Sequence, residues 1–375
     1  MSSGATPTRP ANIAMVITEL ADAGAETCLT HLACGLDRSR FTPFVYALAK
    51  PPPTDRAKLV TQLEREGIVV QFLSRTSKLE FLWAVTQLRD SFRRDAIDLV
   101  HSFLFHANVV SEWARQDAPV PHHVVGVRVA QRYWYRRLLL RRLLKMAGPA
   151  ACVSQSVQRQ MATLKVAAAT NTAVIPNGVG LPDLDSLANW KNTFAGRPYI
   201  LAIARLDHQK GIDLLIASAE KFMGLLPDHE LLIVGDGTDR TKLENQANGS
   251  AFHERIRFLG WRPEINSLLA QAELFVLPSR WEGMPNVLLQ AMACGCPTVC
   301  TDVEGVAEVL GPLGDEQLVP REDVGLMSDA IIRRVRDTEQ SRLLGEANRQ
   351  RVAESFSVEA MVNNYSRLFA QVLTA

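Results

Sequence analysis

The segment 274–297 reads LFVLPSRWEGMPNVLLQAMACGCP, and it predicts the fold class of the chain. The apolar run Leu274–Leu277 is typical of a buried parallel strand. Pro285 suits the first position of a helix, and Gly295 followed by Pro297 ends that helix. A strand, a glycine-containing loop and a helix N-terminus therefore follow one another. Backbone N–H groups and the helix dipole at such a place hold an anion or a sugar oxygen.

Short apolar runs alternate with helical patterns along the rest of the chain, which predicts βαβ units and parallel sheets. A turn signal at Ile175–Val179 divides this alternation, so we expect an α/β protein of two doubly wound domains, residues 1–185 and 186–356, with a cleft between them. Ligands of such sheets bind at the carboxyl ends of the strands. The predicted strands are 12–17, 43–47, 69–72, 98–101, 123–127, 150–153, 173–175, 199–204, 230–234, 256–259, 274–277, 297–300 and 317–319.

The composition is that of a soluble globular enzyme, with 47% hydrophobic and 22% charged residues. No run reaches the roughly 18 apolar residues of a membrane span. Met1–Ala11 lacks the basic start and apolar core of a secretory signal, so a cytoplasmic location is expected. The six cysteines form no disulfide framework, and Cys294 with Cys296 has no second ligand pair at zinc spacing, so no metal site is expected.

The charge is distributed unevenly. Residues 1–185 carry 22 Lys and Arg against 15 Asp and Glu, whereas the remainder carries 19 against 25. The segment 132–145, RYWYRRLLLRRLLK, is both basic and apolar. It predicts either a peripheral contact with an anionic membrane or a half-buried helix with a cationic solvent face. Nucleic-acid binding is not expected, because no known reader motif accompanies the charge.

Two cations flank the loop after the strand predicted at 199–204. Arg205 leaves that strand at its carboxyl end, and Lys210 is predicted to start the next helix. Arginine binds phosphate as a bidentate fork and lysine as a point charge. Cations placed there would favour departure of a diphosphate, although two solvated loop cations remain an alternative. The glycine turn at Gly235 lacks the full pattern of a nicotinamide-cofactor site.

Glu282 and Gln290 stand in the positions of a known signature. The run around them resembles the donor-site motif of glycosyltransferase family 4, a glutamate followed seven residues later by a second glutamate, which is Gln290 here. Arg205 and Lys210 resemble the family's diphosphate contacts, and Gly24 and Glu26 resemble a Gly-Gly-x-Glu loop whose first glycine is Ala23. The resemblance covers nearly the whole chain.

This resemblance implies a GT-B fold of two Rossmann-like domains, with a closing helix in 357–375 that returns to the N-terminal domain. It implies a retaining transferase that uses a UDP- or GDP-linked sugar, needs no metal or other cofactor, and acts on a glycan or lipid-linked acceptor in polysaccharide or cell-envelope assembly. Arg205, Lys210 and Glu282 would be catalytic. The implied donor-binding residues are Gly24, Gly235, Leu259, Gly283, Met284, Pro285, Asn286, Val287 and Gln290.

Acceptor contacts are expected in the N-terminal half. The resemblance points to His106, and Arg128 stands near the position of a family histidine, where it could bind a phosphate but not act as a base. His101 and His106 could both contact the acceptor, or they could equally be satisfied or loop histidines. Because one glutamate and the histidine are replaced, a non-catalytic sugar-nucleotide-binding protein stays open, as does a non-hydrolysing nucleotide-sugar epimerase.

Overall fold

The computed structural model of the protein describes residues 9–73, 80–129, 133–168, 171–192, 194 and 196–375. It divides into two compact units, one formed by the chain up to Gly178 together with Val358–Ala375, and the other by Val179–Ser357. The backbone N–H of Val179 donates to the carbonyl of Phe356, which ties the start of the second unit to its end. Arg132, the first residue of the basic segment, lies outside the described residues.

The first unit is built on a parallel sheet of seven strands in the order β3-β2-β1-β4-β5-β6-β7. The strands are β1 Ala11–Ile17, β2 Phe41–Ala47, β3 Val69–Phe72, β4 Leu99–Phe103, β5 His122–Val127, β6 Ala150–Cys152 and β7 Thr172–Val174. Between them lie α1 Gly24–Gly35, α2 Lys58–Arg65, α3 Glu80–Arg94, α4 Phe105–Asp117, α5 Trp134–Met146 and α6 Gln155–Thr163. The strand order reverses between β1 and β4, where ligands of such sheets bind.

The second unit repeats this architecture with a six-stranded parallel sheet in the order β10-β9-β8-β11-β12-β13. Its strands are β8 Tyr199–Ile203, β9 Glu230–Val234, β10 Ile256–Gly260, β11 Leu274–Leu277, β12 Thr298–Thr301 and β13 Leu318–Val319. Its helices are α7 Leu184–Ala188, α8 Ile212–Leu225, α9 Arg240–Asn248, α10 Ile265–Gln271, α11 Asn286–Ala293, α12 Val306–Leu310, α13 Val324–Arg336 and α14 Thr338–Ser355. The order reverses between β8 and β11.

The closing helix, α15 Val358–Leu373, belongs to the first unit. Tyr365 and Phe369 on its buried face join the core formed by α1, β1 and β2. The ring of Phe369 packs edge-on against Phe41, with centroids 6.2 Å apart. This burial of aromatic area holds the end of the chain on the N-terminal sheet.

The predicted strands all occur, because short and mostly apolar runs suit the strands of parallel sheets covered by helices. Two local expectations about helix starts were wrong. Lys210 ends a short 3-10 turn, His208–Lys210, and α8 begins only at Ile212, because Gly211 takes a left-handed conformation with φ of 63°. Pro285 is the N-cap of α11, with an extended ψ of 111°, and the helix begins at Asn286.

Candidate functional site

The loops after β8 and β11 come together at the point where the strand order of the second sheet reverses. Gly211, in the first of these loops, passes so close to the second that a Cβ atom would lie 2.0 Å from the carbonyl oxygen of Pro278. Only glycine fits here, since the position combines positive φ with this close approach. The close approach brings Lys210 next to the segment that carries Glu282.

Lys210 and Glu282 form an ion pair. The Nζ atom of Lys210 lies 2.6 Å from Oε1 of Glu282, and their side chains are 18% and 6% exposed. The hydroxyl of Ser279 donates to the same carboxylate oxygen at 2.7 Å. A carboxylate this deeply buried needs such partners, because an unpaired buried charge is strongly unfavourable.

Arg205 lies in the same loop as Lys210 but is differently placed. Its side chain is 65% exposed, and its Nε pairs with the carboxylate of Asp207 two residues later. An exposed pair of this kind is weak, so a ligand phosphate can replace Asp207 at little cost. Both predicted cations therefore follow β8, but Lys210 is held in an ion pair inside the protein, whereas Arg205 is open to solvent.

The loop after β9 is fastened to its neighbours through backbone atoms. Gly235 has a φ of 128°, and a Cβ there would lie 1.9 Å from the carbonyl oxygen of Ala204. Its N–H donates to the carbonyl of Gly260 at 2.8 Å. The glycine that the sequence placed in the donor site thus joins the carboxyl ends of β8, β9 and β10. Leu259 lies on β10 at the same edge and is half-buried.

The predicted sugar and phosphate contacts line the start of α11. Gly283, Met284 and Pro285 are buried, whereas Asn286, Val287 and Gln290 are half-buried. Helix N-termini attract anions through their N–H groups and dipole. Among the described residues, none hydrogen-bonds the side-chain amide of Gln290, so the amide keeps its donors and acceptor for a ligand.

The predicted residues of the first unit follow the carboxyl ends of three adjacent strands. Gly24 is exposed and begins α1 after β1, His106 is exposed on α4 after β4, and Arg128 directly follows β5. Arg128 is largely buried: its guanidinium donates to the side-chain oxygen of Asn177 and lies 5.2 Å from the centre of the Phe103 ring. A role for it in phosphate binding stays a prediction.

His101 is a core residue, not an acceptor contact. It is fully buried on β4, its Nδ1 lies 3.0 Å from the carbonyl oxygen of Val124, and its ring packs against Tyr365 and Phe369 of α15. Burial lowers its pKa to about 3. The histidine is therefore neutral, and the acceptor-site alternative for His101 was wrong.

Glu26 was quoted in the sequence only as part of a loop motif, but the structure makes it unusual. It lies in the first turn of α1 and is buried, and that burial raises the pKa of its carboxyl to about 7. Backbone N–H groups of Ala25 and Glu26 and the positive charge of Arg128 oppose the rise, whereas Glu19 adds to it. No sequence signal shows this burial.

Several residues of the second unit were missed as parts of the site. Ser279 and Arg280 stand inside the quoted signature, and Asp213 lies in the first turn of α8. The available signal was the polar pair Ser279 and Arg280, which follows a buried strand after one proline. Within the described ranges, no group of three or more His, Cys, Asp and Glu residues could hold a metal ion.

Comparison with known proteins decides the family. The model described as "Glycosyltransferase Family 4" matches residues 23–181, and the model described as "Glycosyl transferases group 1" matches residues 187–351. The chain belongs to glycosyltransferase family 4. The family membership that the sequence predicted is thereby confirmed, and both units of the chain contribute to the match.

Curated relatives of this family 4 chain act on different sugars. It is 29% identical over 215 residues to the UDP-Gal:alpha-D-GlcNAc-diphosphoundecaprenol alpha-1,3-galactosyltransferase of Escherichia coli, covering 54% of each chain. It is 34% identical over 146 residues to the N-acetyl-alpha-D-glucosaminyl L-malate synthase of Bacillus anthracis, covering 39% of this chain and 38% of that one. The matched region thus spans about half or less of the length of these relatives.

Solved structures confirm the GT-B fold. Anabaena HepE in complex with UDP-glucose matches with a TM-score of 0.82 at 20% identity, over 96% of this chain and 99% of that one. The sucrose-phosphate synthase of Thermosynechococcus elongatus matches with a TM-score of 0.82 at 22% identity, over 97% and 99%. At this identity the likeness establishes the architecture of two Rossmann-like units.

Proposed function

We propose that the protein is a retaining glycosyltransferase that moves a hexose from a nucleoside diphosphate to a glycan or lipid-linked acceptor in polysaccharide or cell-envelope assembly. The ion pair of Lys210 and Glu282 at the switch point of the second sheet carries this proposal. Family membership supports the reaction class. The UDP-sugar in the name of the E. coli relative and the UDP-glucose bound to HepE favour uridine diphosphate over guanosine diphosphate.

Lys210 and Glu282 contact the two sides of the bond that breaks: Lys210 contacts the leaving diphosphate, and Glu282 contacts the donor sugar. A lysine ammonium has three N–H donors, and Glu282 takes one, so two remain for the oxygens of the leaving diphosphate. Arg205 adds a second cation to the same phosphates. The Oε2 atom of Glu282 accepts from a hydroxyl of the donor sugar. Charge that develops on the diphosphate is therefore stabilised in the transition state more than in the bound substrate.

The chemical step proposed is a front-face displacement. The bond between the anomeric carbon and the phosphate oxygen breaks, and the acceptor oxygen forms its bond on the same face. The departing phosphate takes the proton of the acceptor hydroxyl. Turnover therefore does not need a histidine as a base at position 128. Gln290 holds the ribose hydroxyls, and backbone groups of Gly283–Val287 hold sugar and phosphate.

A membrane-linked acceptor is supported by the surface of α5. Leu140, Leu143 and Leu144 are buried, but Tyr133, Trp134, Tyr135, Leu138 and Leu139 are exposed, with 71% exposure for Trp134. Only the later leucines of this segment therefore pack on the protein. Exposed Arg141, Arg142 and Lys145 lie beside these side chains. Aromatic residues and cations together suit an anionic bilayer surface. No helix among the described residues is long and apolar enough to cross a membrane.

The test starts with a thermal-shift screen of uridine, guanosine and adenosine diphosphates, followed by transfer assays with sugars of the base that binds. Arg205→Ala should lower kcat by about 100-fold or more without unfolding the protein, since this side chain is exposed. The matched control is Arg342→Ala, which removes an exposed, ion-paired arginine on α14.

If Arg205→Ala and Arg342→Ala have the same kcat, Arg205 does not contact the diphosphate during the reaction. Nucleotide binding without transfer or donor hydrolysis would identify a sugar-nucleotide-binding protein instead. An epimerised donor without transfer would identify a nucleotide-sugar epimerase.

A further inference from the structure

Arg280, two residues before Glu282, forms a partly buried ion pair with Asp213. Its side chain is 10% exposed, and its Nη1 and Nη2 atoms donate to Oδ1 and Oδ2 of Asp213 at 2.8 and 2.6 Å. This is the bidentate geometry that arginine forms with a carboxylate and lysine does not. Asp213 lies in the first turn of α8, so the pair fixes the loop after β11 to the start of that helix.

The same residue is bonded to the turn that carries Lys210. Nη1 of Arg280 donates to the carbonyl of His208 at 2.9 Å, and its backbone N–H donates to the carbonyl of Gln209 at 2.8 Å. The side-chain amide of Gln209 donates in turn to the backbone carbonyl of Trp281 at 2.9 Å. The contacts of Arg280 therefore fall on both sides of Lys210, at positions 208 and 209 before it and at position 213 after it.

The Asp213 carboxylate is charged in this arrangement. Burial alone would raise the pKa of Asp213, but the hydrogen bonds and charge of Arg280 outweigh burial and hold that pKa below its usual value. Glu322 also lies 3.3 Å from Nε of Arg280, but it is largely exposed and contributes little. Asp213 and the carbonyl of His208 thus determine where the guanidinium lies.

We propose that Arg280 is a positioning residue, which holds the turn carrying Lys210 against the loop carrying Glu282 so that the two catalytic groups are assembled before the donor binds; this role rests on the function proposed above. Arg280 acts through its contacts with Asp213 and His208. A displacement of about 1 Å in a catalytic group can cost about a hundredfold in rate, whereas binding of the nucleotide depends on many other contacts.

The informative variant is Arg280→Lys, which keeps the positive charge and loses the fork that spans Asp213 and His208. The control is Arg255→Lys. Arg255 belongs to the same unit and donates to the carbonyls of Met223, Leu226, Pro227 and His229, away from the two loops. Both variants lose several hydrogen bonds, so a general loss of stability affects both. The measurements are kcat, KM for the nucleotide sugar, the dissociation constant of the free nucleoside diphosphate, and a crystal structure of Arg280→Lys.

We expect kcat of Arg280→Lys to fall by about 10- to 100-fold while the dissociation constant of the nucleotide changes by less than about threefold. Arg255→Lys should lose stability and keep kcat within about twofold. A kcat of Arg280→Lys near that of the wild type, or an equal loss in both variants, would overturn the positioning role and leave the proposed function standing.

A wild-type protein that turns over no nucleotide sugar would instead refute the proposed function. The crystal structure of Arg280→Lys then decides the positioning role by itself. Separation of Lys210 Nζ from Glu282 Oε1 beyond about 4 Å supports the role, because an ion pair no longer exists at that distance. An unchanged distance overturns it.

Discussion

The Nζ atom of Lys210 lies 2.6 Å from Oε1 of Glu282, although the two residues are 72 positions apart in the chain. One follows β8 and the other follows β11, the two strands between which the sheet order reverses. Their charges neutralise each other. The pair is therefore both a stabilising contact and the candidate catalytic centre, and these two roles can be separated by measurement.

Removal of one partner of this pair should cost more than removal of both. Lys210→Met leaves the buried carboxylate without its cation, so the free energy of unfolding should fall by about 3–5 kcal/mol. In the double variant with Glu282→Gln, no unpaired charge remains, and a coupling energy of about 1–3 kcal/mol is expected. Urea denaturation of the two single variants and the double variant, without nucleotide, measures this coupling. Additive effects would show that the pair does not form in solution.

Gln290 should limit the affinity for the nucleotide. A neutral hydrogen bond contributes about 0.5–1.5 kcal/mol, and one to a charged group contributes about 1.5–3 kcal/mol. Gln290→Glu should therefore tighten nucleoside-diphosphate binding by about 1 kcal/mol, or about fivefold in the dissociation constant. Titration calorimetry compares it with Gln371→Glu, which makes the same charge change at an exposed position of α15. Strongly weakened binding in Gln290→Glu would disprove the contact with ribose.

Glu26 should make stability fall as the pH rises. Its pKa is raised from 4.5 to about 7 in the folded state, so its favourable contribution is complete below pH 4.5 and is lost as the pH rises to about 7. Glu26→Gln removes this dependence. Relative to the wild type, the variant should gain up to about 3 kcal/mol in unfolding free energy between about pH 5 and about pH 8.

The control for this experiment is Glu359→Gln, since Glu359 is an exposed glutamate in the first turn of α15, in the same unit. Denaturation curves across the pH range give the comparison. A pH dependence that is the same in wild type and Glu26→Gln would mean that the carboxyl is solvated in solution.

The exposed face of α5 should bind anionic vesicles. Burial of a Trp or Leu side chain is worth about 1.5–3 kcal/mol, so Trp134→Ser with Leu138→Ser should weaken binding by at least about tenfold. Leu343→Ser changes an equally exposed leucine on α14 and should have no effect. Co-sedimentation with vesicles of anionic and of zwitterionic lipid measures both. Undiminished binding of the double variant would leave α5 as an ordinary surface helix.

Chelation should not abolish transfer. If Arg205 and Lys210 neutralise the leaving diphosphate, they perform the role for which other enzymes use a divalent cation. Turnover in excess EDTA should stay within about twofold of turnover with added magnesium. A steep loss that Mg²⁺ or Mn²⁺ restores would mean that a metal belongs to the reaction.

The sequence predicted the strands and their parallel class well, because buried parallel strands are continuous apolar runs such as Leu274–Leu277. It predicted helix starts less well. The predicted helix starts came two positions too early at Lys210 and one position too early at Pro285, since the left-handed Gly211 and the extended backbone of Pro285 separate turn from helix. The histidine pattern was also ambiguous, because burial decides whether a residue such as His101 is a ligand contact or a core residue.

The sequence by itself determined the fold class and the family, because these depend on local patterns and motif spacing along the chain, and it predicted candidate site residues from the same patterns. Only the tertiary structure decided that Lys210 pairs with Glu282, that Arg280 fixes the turn beside them, and that Glu26 is buried while Arg205 is exposed. Pairing and burial arise from the packing of segments that are distant in the chain. The electrostatic environment of each charge depends on that packing, and no local pattern contains it.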